Sequence, residues 1–231
     1  VLPSEAAHKT NLFEFMASPV SSEKPKAQVV ADVARIMRHA HDEGRDIIAV
    51  AGPAVVHTGA APHLAALVEL GYVSVLFGGN AVAVHDIEAA MFGTSLGVSL
   101  ETGVPAPSGH QHHLRAINAV RGAGSIAQAV EQGLIGRGLM YTLVKTGTPF
   151  VLAGSIRDDG PLPDVITDVM VAQAEMRQYC QNAGACLMLS TMLHSIATGN
   201  MLPASVTAVC VDINPAVVTK LADRGSWQTI G

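Results

Sequence analysis

Five short apolar runs along the chain alternate with segments of helical periodicity. The runs are rich in Val, Leu, Ile and Ala and occupy residues 46–51, 73–77, 149–153, 185–189 and 206–211. Apolar positions recur at helical spacing at about residues 27–43 and 60–70, and again from about residue 83. Short buried strands that alternate with helices predict an α/β fold, with a parallel sheet covered by helices on both faces.

Small or polar residues stand where each predicted strand ends, and in a parallel sheet ligands bind in the crevice outside these ends. The residues are Gly52, Gly78, Gly154, Ser190 and Asp212. The sequence from Gly78 to Ala81 joins a strand to a helix, where small residues let backbone N–H groups approach a phosphate or a ribose. A tight strand-to-helix turn explains the same residues without a ligand.

Asp212 ends the last apolar strand and precedes a helix that begins after Asn214-Pro215. Many dinucleotide-binding folds place an acid here, where it accepts hydrogen bonds from the adenosine ribose hydroxyls. In that role Asp212 favours NAD over NADP, because a carboxylate repels a 2′-phosphate. The alternative is that Asp212 only caps the following helix.

Two further strand ends carry polar groups. Arg157, Asp158 and Asp159 follow the third strand in a chain of which only 14% is charged, which indicates recognition of a polar substrate or cofactor. A solvated loop is the other interpretation. After the fourth strand, Thr191 leads to His194, which is placed either to bond a phosphate, a ribose or a substrate, or to serve the structure alone.

Residues 93–147 are rich in glycine and are interpreted as an insertion between the second and third strands, forming a wall or lid over the crevice. Helices are predicted within it at about residues 114–120 and 125–132. His110, His112 and His113 lie in its middle, with Glu101 as the nearby carboxylate. The run lacks the fourth donor and the spacing of a zinc site, so no metal is predicted.

Composition narrows the class of protein. A net charge of −5 gives no electrostatic basis for binding nucleic acid, and no apolar run reaches the roughly 18 residues of a membrane helix. The three cysteines are expected to be reduced core thiols of a cytoplasmic protein. The positive mean hydropathy is attributed to a large core together with an oligomer interface, so a homo-oligomer is expected. Residues 1–24 are expected to be a linker before a domain at 25–231, and the chain is interpreted as a fragment of a longer polypeptide.

Several motifs resemble one known family. They are GPAVVHTG at 52–59, LFGGNA at 76–81, VHDIE at 84–88, GSIRDDGPLPD at 154–164 and LHSIATGN at 193–200. The chain is similar, from about residue 13 to 231, to the archaeal-type ornithine cyclodeaminases with the LOR/SDH-like domain. This domain also forms the C-terminal part of cyanobacterial bifunctional arginine dihydrolase/ornithine cyclodeaminases.

The resemblance implies a Rossmann-like NAD-binding fold, similar to that of deoxyhypusine synthase, and conversion of L-ornithine to L-proline with release of ammonia. It also implies an N-terminal arginine dihydrolase domain as a fusion partner. The cofactor contacts that it implies are Asn80, Ala81, Asp159, Thr191, Met192, Leu193, His194 and Asp212.

The implied reaction needs an acid/base group and an anchor for the substrate carboxylate, while bound NAD takes up and returns a hydride. The candidate acid/base groups are Asp86, Glu101 and Asp158, and Arg157 is the candidate anchor. Two other functions stay open. One is a non-catalytic NAD-binding regulatory module of a multi-domain enzyme, and the other is a transferase of the deoxyhypusine synthase type, for which Lys145 would be the nucleophile.

Overall fold

The computed structural model describes residues 26–158 and 160–222. Its main sheet has six strands in the order β6-β5-β2-β1-β7-β8, and every neighbouring pair is parallel. A separate two-stranded antiparallel hairpin consists of β3 and β4. The strands are β1 (Asp46–Ala51), β2 (Val75–Gly79), β3 (Thr94–Ser95), β4 (Val98–Ser99), β5 (Phe150–Ala153), β6 (Val165–Ile166), β7 (Ala183–Leu189) and β8 (Thr207–Val211).

Helices cover both faces of the main sheet, because successive strand side chains point to opposite sides. On β1, Ile48 and Val50 pack with the face that carries α8, α9 and α10, whereas Ala49 and Ala51 pack with the face of α2 to α7. The helices are α1 (Lys26–Asp42), α2 (Ala54–His57), α3 (Ala61–Glu69), α4 (Asn80–Phe92), α5 (His112–Ala123), α6 (Ile126–Glu131), α7 (Leu139–Thr146), α8 (Val169–Cys180), α9 (Met192–Gly199) and α10 (Pro215–Ala222).

The predicted α/β fold with a parallel sheet is confirmed. All five predicted strands are present, although the second begins at Val75 instead of residue 73 and continues to Gly79. The sequence missed β6, which has only two residues and therefore no apolar run of its own. No helix of the described residues is long and apolar enough to cross a membrane.

The interpretation of residues 93–147 as a wall or lid over the crevice is wrong. Helices α5, α6 and α7 pack on one face of the sheet, where they bury Ile117, Ile126 and Leu139 in the core. Two of the glycines in this segment, Gly124 and Gly147, have positive φ and end α5 and α7 in the left-handed conformation. The glycines therefore separate short helices that belong to the core.

The cysteines are unpaired and buried, as expected of reduced core thiols. Cys186 lies on β7, Cys210 lies on the neighbouring edge strand β8, and Cys180 ends α8. Burial raises the pKa of Cys180 and of Cys210 to about 11, and it raises the pKa of Cys186 further still. These thiols therefore stay protonated and unreactive at neutral pH.

Candidate functional site

The strand order of the main sheet changes direction between β1 and β7, which is the position where α/β sheets bind their ligands. The chain leaves β1 at Gly52 and β7 at Ser190, and the two backbones touch there. A Cβ atom on Gly52 would lie 2.1 Å from the Ser190 carbonyl oxygen and 2.9 Å from Cβ of Thr191. Ser190 has a φ of 53°, a left-handed conformation that turns the chain from β7 into α9.

Helix α9 begins at this point and extends across the end of β1 toward β2. His194, in its first turn, packs on Gly79, where an added Cβ would lie 2.9 Å from the Cε1 atom of the ring. The Thr191 hydroxyl lies 3.5 Å from His194 Nδ1. Burial lowers the pKa of His194 although the negative charge of Asp158 opposes this, so the imidazole is neutral at neutral pH.

The loop after β5 is fixed by its own hydrogen bonds. The Asp158 carboxylate accepts from the Ser155 backbone N–H at 2.8 Å and from the Ser155 hydroxyl at 3.3 Å. Asn80, which is buried at the start of α4, accepts a hydrogen bond from the Leu162 N–H at 3.0 Å. Strand end β2 and the charged loop therefore form one rigid edge of the crevice, with Arg157 exposed to solvent. Asp159 lies outside the described residues.

A second arginine lies beside this loop. An added Cβ on Gly160 would be 3.3 Å from the Nη1 atom of Arg121, which projects from α5. Sequence reasoning missed Arg121 because it lies about forty residues earlier, in the segment assigned as a lid. The structure thus offers two guanidinium groups, Arg121 and Arg157, near one edge of the crevice.

Asp212 lies at the end of β8, and its Oδ1 atom accepts a hydrogen bond from the Asn214 N–H at 2.8 Å. The helix α10 that follows is capped by Asn214, whose Oδ1 atom accepts from the Ala216 N–H at 3.0 Å. Asn214 is therefore the residue that caps α10, and the half-buried Asp212 carboxylate lies at the end of β8.

Large aliphatic side chains are unusually exposed around the same edge of the sheet. Ile156 and Ile213 are fully exposed, and Leu193 is 77% exposed. The neighbouring residue in α9, Met192, packs instead against the core on the α8–α10 face, and Ala81 is half-buried in the first turn of α4. Exposed apolar groups grouped at a crevice mark a surface that binds a ligand or another part of the protein.

Two of the candidate acid/base residues lie elsewhere. Asp86 and Glu101 line an apolar groove of about 800 Å³ between α3, α4 and α7, together with Arg137. Asp86 is 2% exposed, and its two oxygens accept hydrogen bonds from the Leu139 and Met140 N–H groups at 2.9 and 2.7 Å. Burial raises the pKa of Asp86 to about 6. The structure thus separates Asp86 and Glu101 from Arg157 and Asp158.

Comparison with protein families identifies the family of the chain. Residues 31–231 match the protein family described as arginine dihydrolase ArgZ-like, C-terminal, Rossmann fold. The chain belongs to this family. The resemblance predicted from the sequence motifs is therefore confirmed, and so is the Rossmann-like class of the fold.

Three proteins similar to this ArgZ-like Rossmann domain are described here. The ornithine cyclodeaminase of Methanothermobacter thermautotrophicus is 56% identical over 230 residues, which cover 100% of this chain and 56% of that protein. The crystal structure of a conserved LOR/SDH protein from Methanococcus maripaludis S2 matches with a TM-score of 0.90 at 52% identity, covering 99% of this chain and 70% of that one.

The third is AgrE of Nostoc sp., a bifunctional arginine dihydrolase/ornithine cyclodeaminase, solved as a ternary complex with ornithine and NAD⁺. It matches with a TM-score of 0.85 at 55% identity, covering 91% of this chain and 31% of that one. The ArgZ-like Rossmann domain described here therefore spans about half the length of the archaeal ornithine cyclodeaminase that it matches.

Proposed function

We propose that this chain forms the NAD-binding part of an ornithine cyclodeaminase, which converts L-ornithine to L-proline and ammonia. The observation that carries the proposal is the crevice between β1 and β7, where Gly52 meets Ser190 and Thr191 at backbone contact. Ligands of α/β sheets bind at such a reversal of strand order. The name of the archaeal relative and the ligands of the AgrE complex support the same function.

The helix starts at this crevice fit the phosphates of a dinucleotide. Helix α4 begins after Gly79 and α9 after Thr191, and neither residue makes a side-chain capping bond. Helices α2, α3 and α5 also lack a side-chain cap, whereas α6 is capped by Ser125 and α8 by Asp168. Uncapped N-termini leave backbone N–H groups and a partial positive charge for an anion.

These features assign parts of NAD to groups of residues. The first turns of α4 and α9 would hold the phosphates, through Asn80, Ala81 and the residues from Thr191 to His194. Asp212 would accept hydrogen bonds from the adenosine ribose hydroxyls. The exposed aliphatic groups of Ile156, Leu193 and Ile213 would cover apolar faces of the rings.

Bound NAD supplies a reversible hydride acceptor, and the protein must bind the substrate carboxylate and move protons at its amines. Asp158 is the favoured acid/base group because its half-buried carboxylate lies at the crevice near His194, whereas Asp86 is only 2% exposed and lines the separate groove. Arg157 and Arg121 are the candidate partners of the carboxylate, since guanidinium groups pair with carboxylates bidentately. Glu101 is exposed on the separate groove, which makes it the weaker candidate.

A transferase of the deoxyhypusine synthase type would need a lysine nucleophile at the crevice. Lys145 is exposed at the C-terminal end of α7, 5.7 Å from the centroid of the Tyr141 ring. Helix α7 leads into β5, so this end lies where the parallel strands begin, opposite to the crevice. The position of Lys145 therefore favours the cyclodeaminase over the transferase.

The rest of the enzyme also belongs to the proposal. An N-terminal arginine dihydrolase part, as the family description indicates, would supply ornithine directly to this domain. The exposed apolar groove, Leu96 in the β3–β4 hairpin and Val104 in the segment after it provide surface for a homo-oligomer, and both side chains are about 60% exposed. Size determination of the purified protein by light scattering tests the latter.

The full-length protein is expected to form proline and ammonia in equal amounts from ornithine when NAD is added. Asp158→Asn should lower kcat by about 100-fold or more, the scale of general acid–base catalysis. Arg157→Ala should mainly raise the KM for ornithine, by about 10-fold, since it removes a charge-assisted contact with the substrate. Steady-state proline assays on the purified variants measure both effects.

Arg115→Ala is the matched control for Arg157→Ala, because Arg115 is also exposed but pairs with Gln111 on α5. Its kinetics should equal those of the wild type. NAD binding without any proline formation by the wild-type protein would favour the regulatory module instead. Wild-type kinetics in both Asp158→Asn and Arg157→Ala would indicate that this loop is a solvated surface loop without a role in the reaction.

A further inference from the structure

Two histidines and a glutamate from two different helices meet beside the β3 strand. His85 and Glu88 lie one turn apart on α4, and His113 lies in the first turn of α5. Glu88 Oε2 is 3.3 Å from His113 Nδ1 and 3.9 Å from His85 Nδ1. The three ligand atoms all lie within 4.8 Å of one another. None of these three residues is among those assigned to the strand-end crevice.

These separations fit neighbouring ligands of one metal ion. Zinc binds imidazole nitrogen and carboxylate oxygen at about 2.0–2.2 Å, so adjacent ligands of a tetrahedral site lie roughly 3.4 Å apart. Two imidazoles and one carboxylate are donors that suit Zn²⁺ and related cations. We propose that His85, Glu88 and His113 bind one divalent transition-metal cation, with Zn²⁺ as the favoured ion.

The surrounding hydrogen bonds hold the ligands in place. The other oxygen of Glu88, Oε1, accepts from the Thr94 hydroxyl and the Gly97 N–H, both at 2.8 Å. Partners of this kind orient metal ligands and tune their affinity. The Ser95 hydroxyl lies 3.2 Å from His85 Nδ1, the same atom that faces Glu88, and 2.8 Å from His57 Nδ1. The fourth position of the tetrahedron therefore falls to the Ser95 hydroxyl or to a water.

This site is not visible in the sequence. The carboxylate nearest to the His110–His113 run along the chain is Glu101, and the run alone predicts no metal. In the fold the carboxylate comes from Glu88, twenty-five residues before His113, and His85 comes from the same face of α4. Only His113 of the run points to this cluster, whereas His110 is exposed and contacts the neighbouring Gln111.

The test is a Zn²⁺ titration of the chelator-treated full-length protein, in competition with a chromophoric chelator. The wild type should bind one Zn²⁺ per chain at this site, and His113→Ala should weaken that binding by about 100-fold or more, since even loss of an outer hydrogen-bond partner costs 10–100-fold. His110→Ala is the matched control and should bind as the wild type does. Co²⁺ should give the visible absorption of a tetrahedral site in the wild type and in His110→Ala but not in His113→Ala.

Two outcomes would overturn the proposal: a wild type that binds no stoichiometric Zn²⁺, or a His113→Ala variant that binds it with wild-type affinity. His113 is partly exposed and contacts Glu88 and the ring of His85, neither of which belongs to the hydrophobic core, so its truncation should leave that core intact. Thermal melting gives an independent readout, because saturating Zn²⁺ should raise the Tm of the wild type and leave that of the variant unchanged. If His113→Ala does not fold, absence of both the Tm rise and the Co²⁺ absorption in the wild type is decisive against the site.

Discussion

Gly52→Ala is expected to lower the free energy of unfolding by about 3 kcal/mol or more and to weaken NAD binding at least tenfold. Its new Cβ would lie 2.1 Å from the Ser190 carbonyl oxygen, and the neighbour is backbone that no rotamer change moves aside. Overpacking a well-packed site costs 1–3 kcal/mol, and more where backbone must shift. The shift would also displace the first turn of α9. Denaturant unfolding and calorimetric NAD titration measure the two effects.

Gly122→Ala is the matched control for this substitution. Gly122 lies in helix α5, and a Cβ atom there would meet nothing within 4 Å. Because alanine is the better helix former, this variant should be more stable than the wild type by about 0.5–1 kcal/mol and should bind NAD normally. A Gly52→Ala protein with wild-type stability and NAD affinity would show that the contact between β1 and β7 is not as close as described.

Asp86→Ala should destabilise the protein by about 3 kcal/mol at pH 5. The truncation leaves the N–H groups of Leu139 and Met140 buried without acceptors, and each such group costs about 1–3 kcal/mol. NAD affinity of the folded variant should stay unchanged, because Asp86 lies on α4 away from the crevice-lining first turn. Urea unfolding at several pH values is the measurement.

The pH dependence follows from the burial of Asp86, which raises its pKa to about 6 in the folded protein from 3.8. Below about pH 4 the carboxyl is protonated in both states, and its contribution to stability is complete. Between about pH 4 and pH 6 the carboxyl ionises in the unfolded state but stays protonated in the folded state, so its contribution is lost over this range. The difference in unfolding free energy between wild type and Asp86→Ala should therefore narrow from about pH 4 to about pH 6 and stay constant above it. A difference that widens with pH would contradict this account.

Asp168→Ala serves as the control for Asp86→Ala. Asp168 also accepts two helix N–H groups, of Met170 and Val171, but it does so at the exposed start of α8. Solvent replaces its hydrogen bonds, so the loss should be about 1 kcal/mol, the usual scale of an exposed N-cap. The loss of stability should therefore be larger for Asp86→Ala than for Asp168→Ala, because Asp86 is buried and Asp168 is exposed.

The sheet was predictable because each central strand is buried on both faces. Such strands are continuous apolar runs, and their ends are visible as the Gly, Ser or Asp residues that follow. For this reason the sequence alone predicts that Gly52, Ser190 and Asp212 lie at one edge of the sheet. Strand β6 and helix α7 were missed, because two residues give no pattern and the glycines around α7 suggested an irregular segment.

The division of roles among the acids was not predictable. The sequence treated Asp86, Glu101 and Asp158 as equivalent, and only the fold shows that Asp86 caps α7 from fifty-three residues away. The approach of Arg121 to Gly160 and of His113 to Glu88 also joins segments that are distant along the chain. Such contacts depend on how helices pack against each other, which hydrophobic periodicity does not encode.

Titration of NAD into the Asp212→Ala variant tests the proposed cofactor site most directly. Asp212 ends β8, and the following helix is capped by Asn214, so the carboxylate is available to the ribose of NAD. Removing it should cost about 1–3 kcal/mol, an increase in Kd of about tenfold or more. Asp168→Ala is the control, because the Asp168 carboxylate also accepts a hydrogen bond from the N–H two residues ahead. Asp168 follows β6, the edge strand opposite to β8, so this variant should leave the Kd for NAD unchanged. Equal NAD affinity in the wild type and Asp212→Ala would contradict the placement of NAD across the ends of β7 and β8.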